Sequence, residues 1–250
     1  MKNLLKFEFH KLFKAKSFYI CTAIIFLMSL LTVAISVLFS NIQVEGMTTT
    51  KAGPLETMIN AISSSNFTMI SGIFVAIFAC YDYEQQTIKN VYSHGFSRNK
   101  VYFAKFIVCM LATLIMFALT LAFNYLLGLG LLNGPYKDGN YLGLILGQII
   151  YCITYSSFIF ALALIIKKTG FSIALAILGP SLITLVIALV DSLLKLKEVK
   201  ISSYWFGSFS SDLVSLTTTN NRLLIVIGLS IAYCVLFVLG GYFINRKQEN

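Results

Sequence analysis

Residues 82–98, Asp82-Tyr83-Glu84-Gln85-Gln86-Thr87-Ile88-Lys89-Asn90-Val91-Tyr92-Ser93-His94-Gly95-Phe96-Ser97-Arg98, separate two long apolar runs with a stretch of charge and hydrogen-bonding groups. On a helical wheel Thr87, Ile88, Val91 and Tyr92 share one face while Gln86, Lys89 and Asn90 lie opposite, which predicts a short amphipathic helix. Asp82 is placed to cap its start, Gln85 follows three residues on with box-like spacing, and Gly95 suits a left-handed stop. Two readings stand: a docking element for a partner in the aqueous phase, or a solvated loop helix with none.

Outward from this stretch, six segments contain no Asp, Glu, Lys or Arg: 17–44, 57–81, 106–136, 139–166, 169–190 and 223–245. Each exceeds the roughly 20 residues that carry a helix across about 30 Å of hydrocarbon. The whole chain is 58% hydrophobic and 12% charged, with mean hydropathy +0.83, whereas a soluble domain carries about 25% charged residues. The expected fold is therefore all-α: a polytopic membrane protein with six transmembrane helices. Barrel strands would be about ten residues long and alternate polar with apolar, which these runs do not. The first run is too long for a signal-peptide core of about 7–15 residues and lacks a small-x-small cleavage site, so it reads as a retained span.

Lysine and arginine set the orientation. The N-terminus, the segment after span two, the link between spans four and five and the C-terminal tail together hold thirteen, from Lys2 to Lys247. The opposite loops hold six, accompanied by six acids. This bias places both termini and the 82–105 segment in the cytoplasm. The net charge of +9 then reads as attraction to anionic lipid beside the spans, and not as a nucleic-acid surface.

Residues 1–16 carry Leu5, Phe9, Leu12 and Phe13 on one helical face, with Lys6, His10, Lys11 and Lys14 mostly opposite; Leu4 and Phe7 break the pattern. An interfacial amphipathic helix and a plain basic flank both fit. The segment 191–222 contains the uncharged stretch 201–211 with Tyr204, Trp205 and Phe206, apt for an interfacial or re-entrant turn, in which Trp205 is either an anchor or part of a substrate exit. Gly179-Pro180 and Gly240-Gly241 permit kinks and close packing. The five cysteines have no C-x-x-C spacing and read as buried small hydrophobes.

Catalytic constellations are missing from the sequence. Two distant histidines, His10 and His94, cannot form H-E-x-x-H, and no G-x-S-x-G elbow occurs. There is no Gly-Lys dipeptide and hence no phosphate loop. A membrane-embedded enzyme is thereby weakened, and the chain is not an ATPase; a membrane anchor or sensor remains open.

The pattern Asp82-x-Glu84-x-x-Thr87-Ile88-Lys89-Asn90, then Ser93-x-Gly95-x-Ser97-Arg98, then Tyr102 and Lys105, resembles the inner-loop signature of type-2 permease subunits of ATP-binding cassette (ABC) transporters. The layout of the chain is similar too. Gln86 stands where glycine is expected, implying a less sharply bent approach to the helix. The resemblance implies one permease domain over 1–250, with an interfacial helix at 1–16, a coupling region at 82–100 and an outer segment at 191–222. Ile88, Val91 and Tyr92 would then be apolar anchors in a separate ATPase, with Thr87 beside them; Glu84, Lys89 and Arg98 would be polar contacts. The chain itself would need no cofactor, ATP and Mg belonging to the partner ATPase. It further implies a second permease subunit, identical or related, at which Gly128, Ser156, Ser157 and Gly228 could allow close helix approach, and location in a bacterial plasma membrane. The implied substrate is amphipathic or hydrophobic: an exported peptide, such as an antimicrobial peptide or toxin, or a hydrophobic antibiotic.

Overall fold

The computed structural model describes residues 2–41, 53–63, 66–93, 96–132, 134–135, 139–194 and 200–248. Among them there is no strand. Helix α1 (Lys2–Lys14) is followed after Ala15 by α2 (Lys16–Asn41), a short α3 (Pro54–Ser63) and α4 (Asn66–Glu84). Then come the six-residue α5 (Ile88–Ser93), the long α6 (Arg98–Leu131), α7 (Tyr141–Ile166) and α8 (Thr169–Leu193). Two 3₁₀ turns (Ile201–Tyr204, Phe206–Ser208) lead through α9 (Phe209–Asp212) to α10 (Asn220–Gln248).

Six helices, α2, α4, α6, α7, α8 and α10, are long and apolar enough to cross a membrane. The second expected span, 57–81, is two elements. Its first part is α3, opened by Pro54 at the position where a missing N–H costs nothing, and α4 begins only at Asn66. A charge-free run was no guarantee of a single helix here: α3 ends at Ser63 and α4 opens at Asn66, residue types that favour helix ends. Helix α6 is longer than the apolar run that predicts it: its 34 residues reach about 51 Å at 1.5 Å per residue, and its first two turns already bury Val101, Tyr102, Ala104 and Lys105.

Helices α4 and α7 form the interior, two-thirds of each span window being buried, whereas α8 and α10 are buried over only 11% and 17%. Polar side chains stitch the elements together. Gln148 Nε2 donates to Ile59 O (3.1 Å) and Leu213 O (3.0 Å), Thr154 Oγ1 to Ser230 O (2.8 Å), and Asn124 Nδ2 to Ser29 Oγ (3.1 Å). The segment before α10 folds back into the bundle. Phe206 is fully buried against Phe158 and Phe237, residues 17 positions into α7 and α10, or about 25 Å along each axis. Asp191 holds its start by accepting from Ile201 N and Ser202 N at 2.9 Å, and Trp205 Nε1 donates to Thr184 Oγ1 at 3.1 Å.

The small residues proposed for close helix approach divide. A methyl group at Gly128 would collide with Pro54 and Thr57, and Ser156 and Ser157 are buried within the chain, so these three serve internal packing; only Gly228 faces open space. Gly241, against Ala161 and Tyr102, is a close-packing glycine as expected, and Gly240 is not.

Candidate functional site

The turn from α4 into α5 is built by its backbone. Gln85 N and Gln86 N donate to Tyr81 O and Tyr83 O at 3.0 and 3.3 Å, and Gln86 takes a left-handed φ of 53°. That conformation costs a non-glycine residue roughly 1–2 kcal/mol. The expected softer bend is therefore not found: the chain turns as sharply as a glycine would allow, with glutamine carrying the strain. Nor does Asp82 cap α5. It lies in the last turn of α4, and Thr87 occupies the cap position, its carbonyl accepting from Val91 N at 3.4 Å. Thr87 Oγ1 in turn donates to Asp82 Oδ1 at 3.2 Å. The stop expected at Gly95 lies outside the described residues, as does the side chain of Asn90.

Asp82 is the centre of a buried ionic cluster. Its carboxylate pairs with Lys11 of α1 through Oδ1 and with Lys105 of α6 through Oδ2. Lys105 is only 2% exposed, and Glu8 of α1 is fully buried beside it. Neither Glu8 oxygen has a hydrogen-bond partner among the described residues. Burial therefore raises the Glu8 pKa, against the opposing pull of Lys105 and Lys11, and burial followed by repulsion from Lys105 lowers that of Lys11. Two acids and two lysines balance the charge, as a buried cluster requires. Lys11 is also 4.8 Å from the Tyr81 ring centroid and 5.4 Å from that of Phe78, within cation–π range.

The same turn reaches the α7–α8 hairpin. Glu84 Oε1 accepts from Thr169 N, at the start of α8, at 2.6 Å, where a carboxylate complements the helix dipole. Lys105 and Lys167 both approach the Tyr83 ring at 5.4 Å. Lys167, at φ 57°, ends α7 and makes the tight link predicted from Lys167-Lys168-Thr169-Gly170.

The expected site residues separate into a supporting set and an exposed set. Ile88 is buried against Leu4, Val101 and Ala104 of its own chain, with Val91 and Tyr92 partly buried around it. Thr87, Lys89, Glu84 and Arg98 are exposed, Arg98 lying 5.8 Å from the Tyr92 ring. In α1 the buried stripe is Leu4, Glu8 and Leu12, while Phe13, grouped with Leu12 on the apolar face, is 52% exposed. Sequence reasoning passed over Glu8 and took Lys11 as flank charge; Glu8 was nevertheless visible as the only acid among the first 44 residues, three positions before Lys11. No group of three His, Cys, Asp or Glu able to hold a metal occurs among the described residues.

A family model described as ABC-2 family transporter protein matches residues 4–181, which spans α1 to the middle of α8 and includes the whole ionic cluster. No curated protein matches the chain.

Proposed function

The chain belongs to the ABC-2 transporter family, and on that premise we propose that it is the membrane subunit of an ATP-driven exporter whose α5 is pressed by a separate ATPase. ATP and Mg are bound by that partner; this chain converts its closure into movement of the spans. Both termini and the 82–98 turn face the cytoplasm of a bacterial cell, and two permease subunits, identical or related, enclose the pathway.

One observation carries this reading: α5 is fastened to several helices at once, Ile88 packing on Leu4 of α1 and on Val101 and Ala104 of α6. Through Thr87 it is tied to Asp82, through Asp82 to α1 and α6, and through the neighbouring Glu84 to α8. A load applied to α5 is thereby delivered to four helices. The contact surface for the ATPase is Lys89 and Arg98 with exposed Thr87 and the outer edges of Val91 and Tyr92, and Ile88 supports it from beneath. The cargo is amphipathic: between α4, α7 and α8 lies a cleft of about 530 Å³ lined by the hydroxyl residues Thr68, Tyr151, Ser181 and Thr184 together with Met69 and Ile177. Such a lining suits an amphipathic peptide or a hydrophobic antibiotic with a few hydrogen-bonding groups.

The test is capture of the ATPase by the purified chain, with efflux from cells as the second readout. Lys89→Ala and Arg98→Ala together should weaken capture by up to about thirtyfold, at roughly 0–1 kcal/mol per exposed contact, with little change in thermal stability. Ile88→Glu should destabilise the chain itself, since it sets a carboxylate among Leu4, Val101 and Ala104. Full capture and efflux by the double alanine variant would place the ATPase elsewhere.

A further inference from the structure

At the elbow between α1 and α2 a groove of about 480 Å³ has two unlike walls. One is basic, formed by Lys14, Lys16 and Ser17; the other, from α4, is apolar and aromatic, formed by Ile77, Phe78 and Tyr81. Lys14 and Lys16 are exposed and have no acidic partner among the described residues. Lys11, which also borders the groove, is by contrast already paired with Asp82. The elbow is held by a specific contact, Tyr19 Oη donating to Phe13 O at 3.0 Å. Below it the outer face of α2 continues as Ile20, Ile24 and Leu27, all exposed.

We infer that this groove is a binding site for one anionic phospholipid of the leaflet that contains α1. Its phosphate sits between Lys14 and Lys16, and an acyl chain lies against Ile77 and Tyr81 and follows α2. The chemistry selects the occupant. Two unpaired ammonium groups call for an anion, and the adjoining apolar wall, open towards an apolar helix face, calls for a hydrocarbon chain attached to it. A soluble anion would leave that wall unfilled, and an acidic protein segment would leave the α2 face uncovered. Because Lys11 bridges the groove and Asp82, an occupied groove braces α1 against α4 at the ionic cluster. The site thus adds a lipid requirement to the proposed exporter function and rests on that reading only for its regulatory meaning.

The site can be tested on the whole chain alone, without ATPase, so its failure is separate from failure of the transporter reading. The protein is placed in nanodiscs of mixed phosphatidylcholine and phosphatidylglycerol, and the lipids retained after extraction are counted by native mass spectrometry. One phosphatidylglycerol should be retained in preference to phosphatidylcholine. Each juxtamembrane lysine contributes about fivefold, so Lys14→Ala with Lys16→Ala should reduce the preference by on the order of tenfold or more. Lys2→Ala with Lys6→Ala, the same charge change but within α1 and away from the groove, should leave it intact. Equal loss in both double variants, or no preference in the wild type, would reduce the site to a diffuse basic flank. Displacement of the retained lipid by millimolar glycerol phosphate would overturn the lipid as occupant.

Discussion

Lys105 Nζ of α6 meets Asp82 Oδ2 of α4 in an ion pair almost sealed from solvent, the lysine side chain being 2% exposed and the aspartate 7%. A pair this buried is weak grounds for stability in itself, yet breaking it from one side is costly. Asp82→Asn should destabilise the detergent-solubilised chain by about 3–5 kcal/mol, because Lys105 is left charged without its main partner. Lys105→Met in the Asp82→Asn background should recover much of that loss. Thermal unfolding of the two single variants and the double variant measures the coupling; simple additivity would show that the two residues do not act as a pair.

The left-handed Gln86 offers a cleaner measurement. Glycine occupies φ near +53° without steric penalty, so Gln86→Gly should raise stability by about 0.5–1 kcal/mol, the strain relieved being partly offset by the extra freedom of glycine in the unfolded chain. Gln86→Val, β-branched, should lower it. A rise in melting temperature for valine would mean that the turn does not hold this conformation.

How far the sequence could be read is clear at these same positions. The spans were legible because lipid demands long apolar runs, and their ends were legible where Lys167 or Asp82 interrupts them. The break inside 57–81 was not, since serines and asparagine end a helix without any charge. The site was legible as a stretch but not as a network. Spacing puts Ile88 and Val91 on one face, yet only packing shows that α1 and α6 cover that face. Lys11 counted towards topology and Lys105 also entered the signature, yet nothing local marks either as an ion-pair partner of a residue 71 or 23 positions away. Glu8 stands out in the sequence as an acid but not as a buried one, because its burial is imposed by helix packing and not by its neighbours in α1.

Glu8 makes the docking of α1 sensitive to pH. Its folded pKa is raised above the ordinary 4.5 by burial, so between 4.5 and the raised value the folded state binds more protons than the unfolded one. Stability from this group must therefore fall as pH rises through that window and increase on acidification towards 4.5. Lys11, lowered from 10.5, has the opposite slope, with stability rising with pH between its lowered value and 10.5. Glu8→Gln should abolish the acid-side slope and leave α1 docked at neutral pH. Melting curves of the wild type and Glu8→Gln from neutral pH to 5 decide the matter: parallel curves would show that Glu8 is not the titrating group.

A proline inside α8 gives the last prediction. Pro180 has no N–H to offer the carbonyl four residues earlier, Ala176 O, and this acceptor is taken instead by Tyr155 Oη of α7 at 3.0 Å. The hydroxyl of one helix thus repairs the backbone of the next, beside the cleft proposed for the cargo. Tyr155→Phe should leave the Ala176 carbonyl unpaired in a buried place, at a cost of about 1–3 kcal/mol. Pro180→Ala supplies the missing N–H, so in that background the helix satisfies Ala176 O by itself and Tyr155→Phe should cost much less. The two single variants and the double variant form a closed cycle measured by thermal unfolding, with efflux showing whether the proline is also needed for movement of α8. If Tyr155→Phe costs the same with and without Pro180, the tyrosine hydroxyl is not standing in for the missing backbone donor, and the tie between α7 and α8 must come from packing alone.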